Sequence, residues 1–259
     1  MGLLEGRKGL VFGVANDRSI AWHIARNAME HGAVCGFPHL PGEKMERRVR
    51  KTLEAGGVTD PWLMPCDASS DDDLDRTFEA ARQRFDAIDF LVHSIAYADR
   101  EFLRVDNFRD TPRQVFTQAL DISAYTLVAM ARRAAAIMPN GGAIIGMTYY
   151  GSEKVVPGYN VMGIAKAALE ACARYLAAEL GQQGIRVNTI SAGPIKTLSS
   201  MAVDGLEEIF GWVERKAPLK RNIEADEVGK TAVYLLSDLS SAVTGENVYV
   251  DCGYKIAGI

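Results

Sequence analysis

The sequence predicts an α/β fold: one doubly wound domain on a seven-stranded parallel sheet, with helices on both faces. Three observations carry this. Short apolar runs at 10–14, 33–37, 62–65, 90–94, 143–147, 187–191 and 247–250 alternate with stretches of helical period. Most of these runs are too continuously apolar to have a wet face, which points to a parallel sheet covered on both sides. A chain of 259 residues with no internal repeat or low-complexity linker suits a single core, so 1–259 reads as one domain.

Each element follows in turn. The run 10–14 leads through Gly13 into a helix over 20–31, with Ser19 as its expected cap. The strand at 33–37 precedes a helix over 44–55, and the strand at 62–65 precedes one over 71–85. After the strand at 90–94, one long helix is expected over 112–138. The strand at 143–147 leads to a helix over 160–183. There Val161, Ile164, Ala165, Ala168, Leu169, Cys172, Leu176 and Leu180 fall on one stripe, and Gly184 is placed to end it. A helix over 225–236 and the strand at 247–250 close the pattern. Repeated β-α-β units imply right-handed crossovers, a Rossmann-like sheet, and ligand binding at the carboxyl ends of its strands.

One stretch departs from this alternation. After 187–191 the chain runs through Gly193-Pro194 into a mixed apolar segment containing Met201, Leu206, Ile209, Phe210 and Trp212. An excursion at this point is expected to be a substrate-binding lid over 197–219, the alternative being a plain helical hairpin that closes the core.

Composition narrows the function classes. Hydrophobic residues make up 48% and charged residues 24%, and the net charge is -4, which gives no electrostatic reason to expect nucleic acid or an anionic membrane as partner. No apolar run approaches a membrane span. The first six residues lack a signal-peptide pattern, and Gly2 lacks the Ser or Thr at position 6 that myristoylation would need. Cys35, Cys66, Cys172 and Cys252 are dispersed, and His23, His31, His39 and His93 show no ligand spacing. Reduced thiols, no metal site and a cytoplasmic location are the expectation.

The ends of the strands point to a dinucleotide. Gly13 permits a tight turn and close approach of backbone to a pyrophosphate, which the helix start at Ser19 and Ile20 would favour. Asp67 and Ala68 follow the third strand, where a carboxylate can accept from an adenine amino group. Ser94, Ile95 and Ala96 follow the fourth, where small residues let the chain pass under a ribose. Ile195 and Thr197 follow the sixth, placed for the nicotinamide amide and a phosphate. Each alone is an ordinary loop; in this order they describe one site. The second strand ends Gly36-Phe37-Pro38-His39-Leu40-Pro41, with no acid for a ribose diol and no arginine for a 2′-phosphate, although Lys44 and Arg47 follow. NADH is favoured, with NADPH left open.

The chemistry centres on Tyr149, Tyr159 and Lys166. Tyr159 and Lys166 are seven residues apart, two helical turns, so they share one face. Hydride delivered to the β-carbon of an unsaturated thioester drives charge onto the thioester oxygen, and a phenol aimed there lowers the barrier. Tyr159 suits that role. Lys166 can hold the nicotinamide ribose, and Tyr149 can line the acyl pocket or support the thioester. Tyr97 and Met162 are candidate pocket residues, with Met201 and Phe210 on the lid side.

The chain resembles the short-chain dehydrogenase/reductase superfamily over its whole length. That family places a Tyr four residues before its Lys, a Ser thirteen before that Tyr, and an Asn on an earlier helix. Here those positions are Met162, Tyr149 and Asp121. The departures match the enoyl-acyl-carrier-protein reductase branch, whose spacing is that of Tyr159 and Lys166. The segments 13–22, 93–96, 159–163 and 190–198 also look like that branch, whereas His39-Leu40 stands where its members often have Tyr-Gln. The resemblance implies NADH-dependent reduction of trans-2-enoyl thioesters on acyl carrier protein, the final reductive step of fatty-acid elongation, by a homotetramer. A ketone- or alcohol-directed relative and a non-catalytic cofactor-binding protein are the alternatives. An acidic carrier would need a basic landing site, for which Arg100, Arg104, Lys196, Arg215, Lys216, Lys220 and Arg221 are candidates. The apolar C-terminal run 245–259 and the apolar surface of the two long helices are expected to be buried between subunits.

Overall fold

The computed structural model describes residues 2–197, 200–202 and 205–257. Its strands are β1 (Lys8–Phe12), β2 (Val34–His39), β3 (Trp62–Pro65), β4 (Phe90–His93), β5 (Gly142–Thr148), β6 (Ile185–Ala192) and β7 (Asn247–Val250). They form one sheet in the order β3-β2-β1-β4-β5-β6-β7, and every pairing is parallel. The order reverses between β1 and β4, which opens a crevice at their carboxyl ends.

The helices are α1 (Ile20–Glu30), α2 (Glu43–Ala55), α3 (Asp71–Phe85), α4 (Arg113–Leu120), α5 (Thr126–Ala135), α6 (Asn160–Leu180), α7 (Leu206–Lys216) and α8 (Ala225–Leu236). Neighbouring strand residues enter opposite cores. Val11 and Ile145 pack with Trp22 and Ile24 of α1, Leu53 of α2 and Val228 of α8. Leu10 and Ile144 pack with Phe78 of α3, Met130 of α5 and Leu169 of α6. Because successive strand side chains point to opposite faces, a sheet buried on both sides needs uninterrupted apolar runs, and this is why the strands were legible.

Several elements differ from expectation. The first strand begins and ends two residues earlier than the apolar run 10–14, and β2 extends through Pro38 to His39. The helix expected over 112–138 is broken by a π turn at Asp121–Tyr125. Side chains account for that break: Ser123 Oγ accepts from Tyr97 N at 3.0 Å and donates to Tyr97 O at 3.2 Å. Thr126 Oγ1 donates to Ile122 O at 2.7 Å. The helix over 160–183 ends at Leu180, followed by a 3₁₀ turn and by Gly184 in the left-handed region at φ 72°. On α6, Ile164 is exposed and Ala168 and Cys172 are half-buried, so the expected stripe is wider than the face that the sheet covers. All four cysteines are free, and burial pushes the Cys35 and Cys66 thiols up to about 12 and about 11.

Leu198, Ser199, Val203 and Asp204 of the expected lid, and Gly258 and Ile259 of the C-terminal run, lie outside the described residues. Among the described residues no helix is long and apolar enough to cross a membrane, and no cluster of three or more His, Cys, Asp or Glu side chains could hold a metal ion.

Candidate active site

A cavity of about 240 Å³ opens at the carboxyl ends of the central strands. On its β1 side, Gly13 turns at φ 105° so closely over β4 that a Cβ there would stand 2.1 Å from Ser94 O. Ser19 takes the N-cap position of α1, but its side chain makes no helix-capping bond. Its Oγ accepts from Ala15 N at 3.0 Å and Asn16 N at 3.1 Å, fixing the loop that precedes the helix. Ser19 and Ile20 thus line the cavity at a helix start, with Ser94, Ile95 and Ala96 beside them from the segment that follows β4.

The opposite wall comes from β5, β6 and α6. Lys166 is 6% exposed, and its Nζ donates to Met147 O at 2.8 Å. Burial pushes the amine down to about 8, opposed by the Glu170 carboxylate. Tyr149 and Tyr159 meet edge to face, with ring centroids 4.9 Å apart and planes at 73°. Burial raises both phenols above their ordinary value, with Tyr149 and Glu170 adding to the effect on Tyr159, so each carries a donor proton at neutral pH. The Tyr149 hydroxyl is buried with no hydrogen-bond partner in the protein. Met162, Ile195 and Thr197 complete this wall.

The remaining candidates lie outside the cavity lining. Leu40 is exposed just beyond β2, and Ala68 is half-buried beyond β3. Asp67 Oδ1 accepts from Ser69 N at 3.0 Å and Ser69 Oγ at 2.7 Å. Tyr97 is exposed near the π turn, and Asp121 is exposed on that turn. Met201 O accepts from Arg100 Nη2 at 3.3 Å, and Lys196 Nζ stands 5.2 Å from the Phe210 ring centroid. Leu206 and Ile209 of the excursion line the cavity, whereas the sequence reading missed Ser200 beside them, and Leu103 and Val156, whose loops have no periodicity. It also missed Thr148 and Glu170, joined at 2.6 Å. Glu170 left a signal, since it is an acid on the buried face of α6 one turn after Lys166.

The residues present fit a dinucleotide. Gly13 forms a cradle that any Cβ would fill, a helix start borders it, and a buried phenol and amine face the same space. A doubly wound sheet with this site at its switch point defines a nicotinamide-dependent oxidoreductase.

The comparisons with known proteins agree. The family model described as Enoyl-(Acyl carrier protein) reductase matches residues 13–255, and the chain belongs to this family. It is 48% identical over 258 residues to the enoyl-[acyl-carrier-protein] reductase [NADH] of Synechocystis, covering 99% of both chains. Among solved structures, the Bacillus cereus enoyl-acyl carrier protein reductase with NADP+ and indole naphthyridinone is 48% identical, with a TM-score of 0.96 and complete coverage of both chains. The Anaplasma phagocytophilum enzyme in complex with NAD is 43% identical with a TM-score of 0.93, covering 100% of this chain and 95% of that one.

Proposed function

We propose that the protein reduces the carbon–carbon double bond of trans-2-enoyl thioesters on acyl carrier protein, using NADH, as the final reductive step of fatty-acid elongation. The observation that carries this reading is the paired Tyr149 and Tyr159 beside a buried Lys166, with Met162 where a ketone reductase of this fold would keep its acidic phenol. The family membership and the NADH specificity in the relative's name support it.

Bound NADH supplies the hydride. Tyr159 donates a hydrogen bond to the thioester oxygen as charge develops there, an interaction stronger in the transition state than in the ground state. Its burial keeps the phenol protonated, so it is ready to donate across the neutral range. Tyr149 packs against the Tyr159 ring and sets its direction. Two of the three Lys166 donors remain for the nicotinamide ribose once Met147 O has taken one. Gly13, Ser19 and Ile20 receive the pyrophosphate; Ser94, Ile95 and Ala96 pass under the adenosine ribose; Ile195 and Thr197 hold the nicotinamide end. Leu40, Asp67 and Ala68 border the adenine.

The segment 197–219 serves as the substrate lid, a role supported by Thr197, Ser200, Leu206 and Ile209 in the cavity wall. Val156 and Ile209 also border a second hollow of about 290 Å³ walled by Val105, Pro157, Trp212 and Tyr254. The acyl chain extends that way past Met162, and Tyr97, Met201 and Phe210 are proposed to meet the substrate from outside the lining. Arg100, Arg104, Lys196, Arg215, Lys216, Lys220 and Arg221 are all exposed and can receive an acidic carrier. The enzyme works in the cytoplasm as a homotetramer. Exposed Tyr125, Ile164 and Tyr175 on the α5–α6 side, and the unpaired outer edge of β7, support that assembly.

The test is NADH oxidation with a trans-2-enoyl-acyl carrier protein, run beside the matching coenzyme A thioester, a 3-ketoacyl thioester and NADPH. Turnover of the enoyl substrates with NADH is expected. Turnover confined to the ketone would overturn the reading.

A further inference from the structure

The polar ties behind the cavity come from consecutive residues of one strand end. Met147 O takes the Lys166 ammonium, and Thr148 Oγ1 donates to Glu170 Oε1 at 2.6 Å. Tyr149 then emerges against Tyr159. Lys166 and Glu170 stand one turn apart on α6, and both are buried, at 6% and 7% exposure. An acid in such a place is costly unless its charge is used or paired.

The other buried titratable groups around Lys166 are neutral near pH 7. From β4, His93 is fully buried and held down to about 3 by burial, with Lys166 adding to the effect. Tyr149 and Tyr159 share the cavity and are held up by burial. Asp121, on the π turn packed against α6, is exposed. Among the described residues this leaves Glu170 as the charge that acts on Lys166.

We propose that Glu170 is a positioning residue for Lys166: its carboxylate holds the buried amine as an ammonium ion, while its bond to Thr148 ties the end of β5 to α6. The inference rests on the reading of Lys166 as the anchor of the cofactor ribose. A neutral amine is a weaker donor to ribose hydroxyls than an ammonium. Burial alone drives the amine toward that weak form. Opposing this requires a fixed negative charge that water does not screen, and a carboxylate one helical turn away supplies it.

The two tasks of Glu170 separate by substitution. Glu170→Gln keeps an acceptor for Thr148 and removes the charge; Thr148→Val keeps the charge and removes the bond. NADH affinity of the intact enzyme is measured by fluorescence titration from about pH 6.5 to about 9.5, with thermal melts to confirm folding. In the unsubstituted enzyme, affinity should weaken with a midpoint near 8, where Lys166 loses its proton. In Glu170→Gln that midpoint should move down by about one pH unit or more, a ten-fold change in acidity. Thr148→Val should leave it in place, and Glu170→Asp should restore it. An unmoved midpoint in Glu170→Gln overturns the proposal, as does an equal shift in Thr148→Val, which would make the effect one of packing. If Lys166→Ala binds NADH as tightly as the unsubstituted enzyme at every pH, the anchor reading itself has failed, and the proposal falls with it.

Discussion

Gly163 and Gly151 touch through backbone: a Cβ on Gly163 of α6 would stand 2.6 Å from the Gly151 carbonyl oxygen. A Cβ on Gly151 would in turn stand 2.4 Å from Tyr159 Cδ1. The turn after β5 is thereby pressed onto the first turn of α6, and the two tyrosines meet where these segments close. No side chain fits between them.

Gly163→Ala should therefore displace the turn at 150–152 and tilt Tyr159. Overpacking of this kind costs about 1–3 kcal/mol of stability. Misplacing a reacting group by even about 1 Å lowers rates by up to about 100-fold. Turnover should fall ten-fold or more while NADH affinity changes little. Unchanged turnover would show that Tyr159 is not held by this contact.

On the proposed role of Lys166, Lys166→Ala removes donors to the cofactor ribose. Hydrogen bonds to charged groups are worth about 1.5–3 kcal/mol, so the NADH dissociation constant should rise about ten- to a hundred-fold, and turnover should fall with it. Titration of NADH fluorescence reads the first effect and steady-state kinetics the second. A loss of turnover with NADH affinity intact would assign Lys166 to the chemical step alone.

His93 makes stability sensitive to acid. Its Nε2 donates to Thr126 Oγ1 at 2.8 Å, and its Nδ1 is buried without a partner. Folding holds the ring neutral by pushing its value from 6.5 down to about 3. Above 6.5 neither state binds the proton. As pH falls from there toward 3, the unfolded chain takes a proton that the folded one refuses, so stability is lost at up to about 1.4 kcal/mol per pH unit. His93→Leu should flatten the fall in melting temperature between pH 6.5 and about 4, relative to the unsubstituted protein. Parallel curves for the two proteins would contradict this.

Much of this arrangement was legible in the chain, for physical reasons. Leu10 and Val11, or Ile144 and Ile145, enter opposite cores, so each strand announces itself as an unbroken apolar run. The seven-residue spacing of Tyr159 and Lys166 was equally plain, because a helix converts it directly into a shared face. What was hidden depends on contacts between distant segments. The π turn at 121–125 arises from Ser123 bonding to Tyr97, 26 residues away. The hydroxyl of Ser19 serves the preceding loop instead of its helix, a choice that local sequence leaves open. Val156 and Leu103 reach the cavity from loops that carry no pattern.

Assembly gives a further test. Tyr175 is 80% exposed on α6, with half-buried Ala168 and Cys172 on the same flank. Exposed apolar surface and an open sheet edge each favour burial between subunits, and closed symmetry is the usual outcome. Light scattering at micromolar concentration should give four times the 28.2 kDa chain mass. Replacing Ile164 and Tyr175 together by lysine should shift the species toward dimers. A monomer mass for the unsubstituted protein would refute the assembly.

On the proposed mechanism, Tyr159 stabilises charge on the thioester oxygen during hydride transfer. Single-turnover reduction of a trans-2-enoyl-acyl carrier protein, with NADH prebound to Tyr159→Phe, tests it most directly. The chemical step should slow on the order of 100-fold or more, the usual loss when a donor to a developing oxyanion is removed, with the NADH dissociation constant within about two-fold of the unsubstituted enzyme. A chemical step as fast as that of the unsubstituted enzyme would show that Tyr159 does not stabilise that charge.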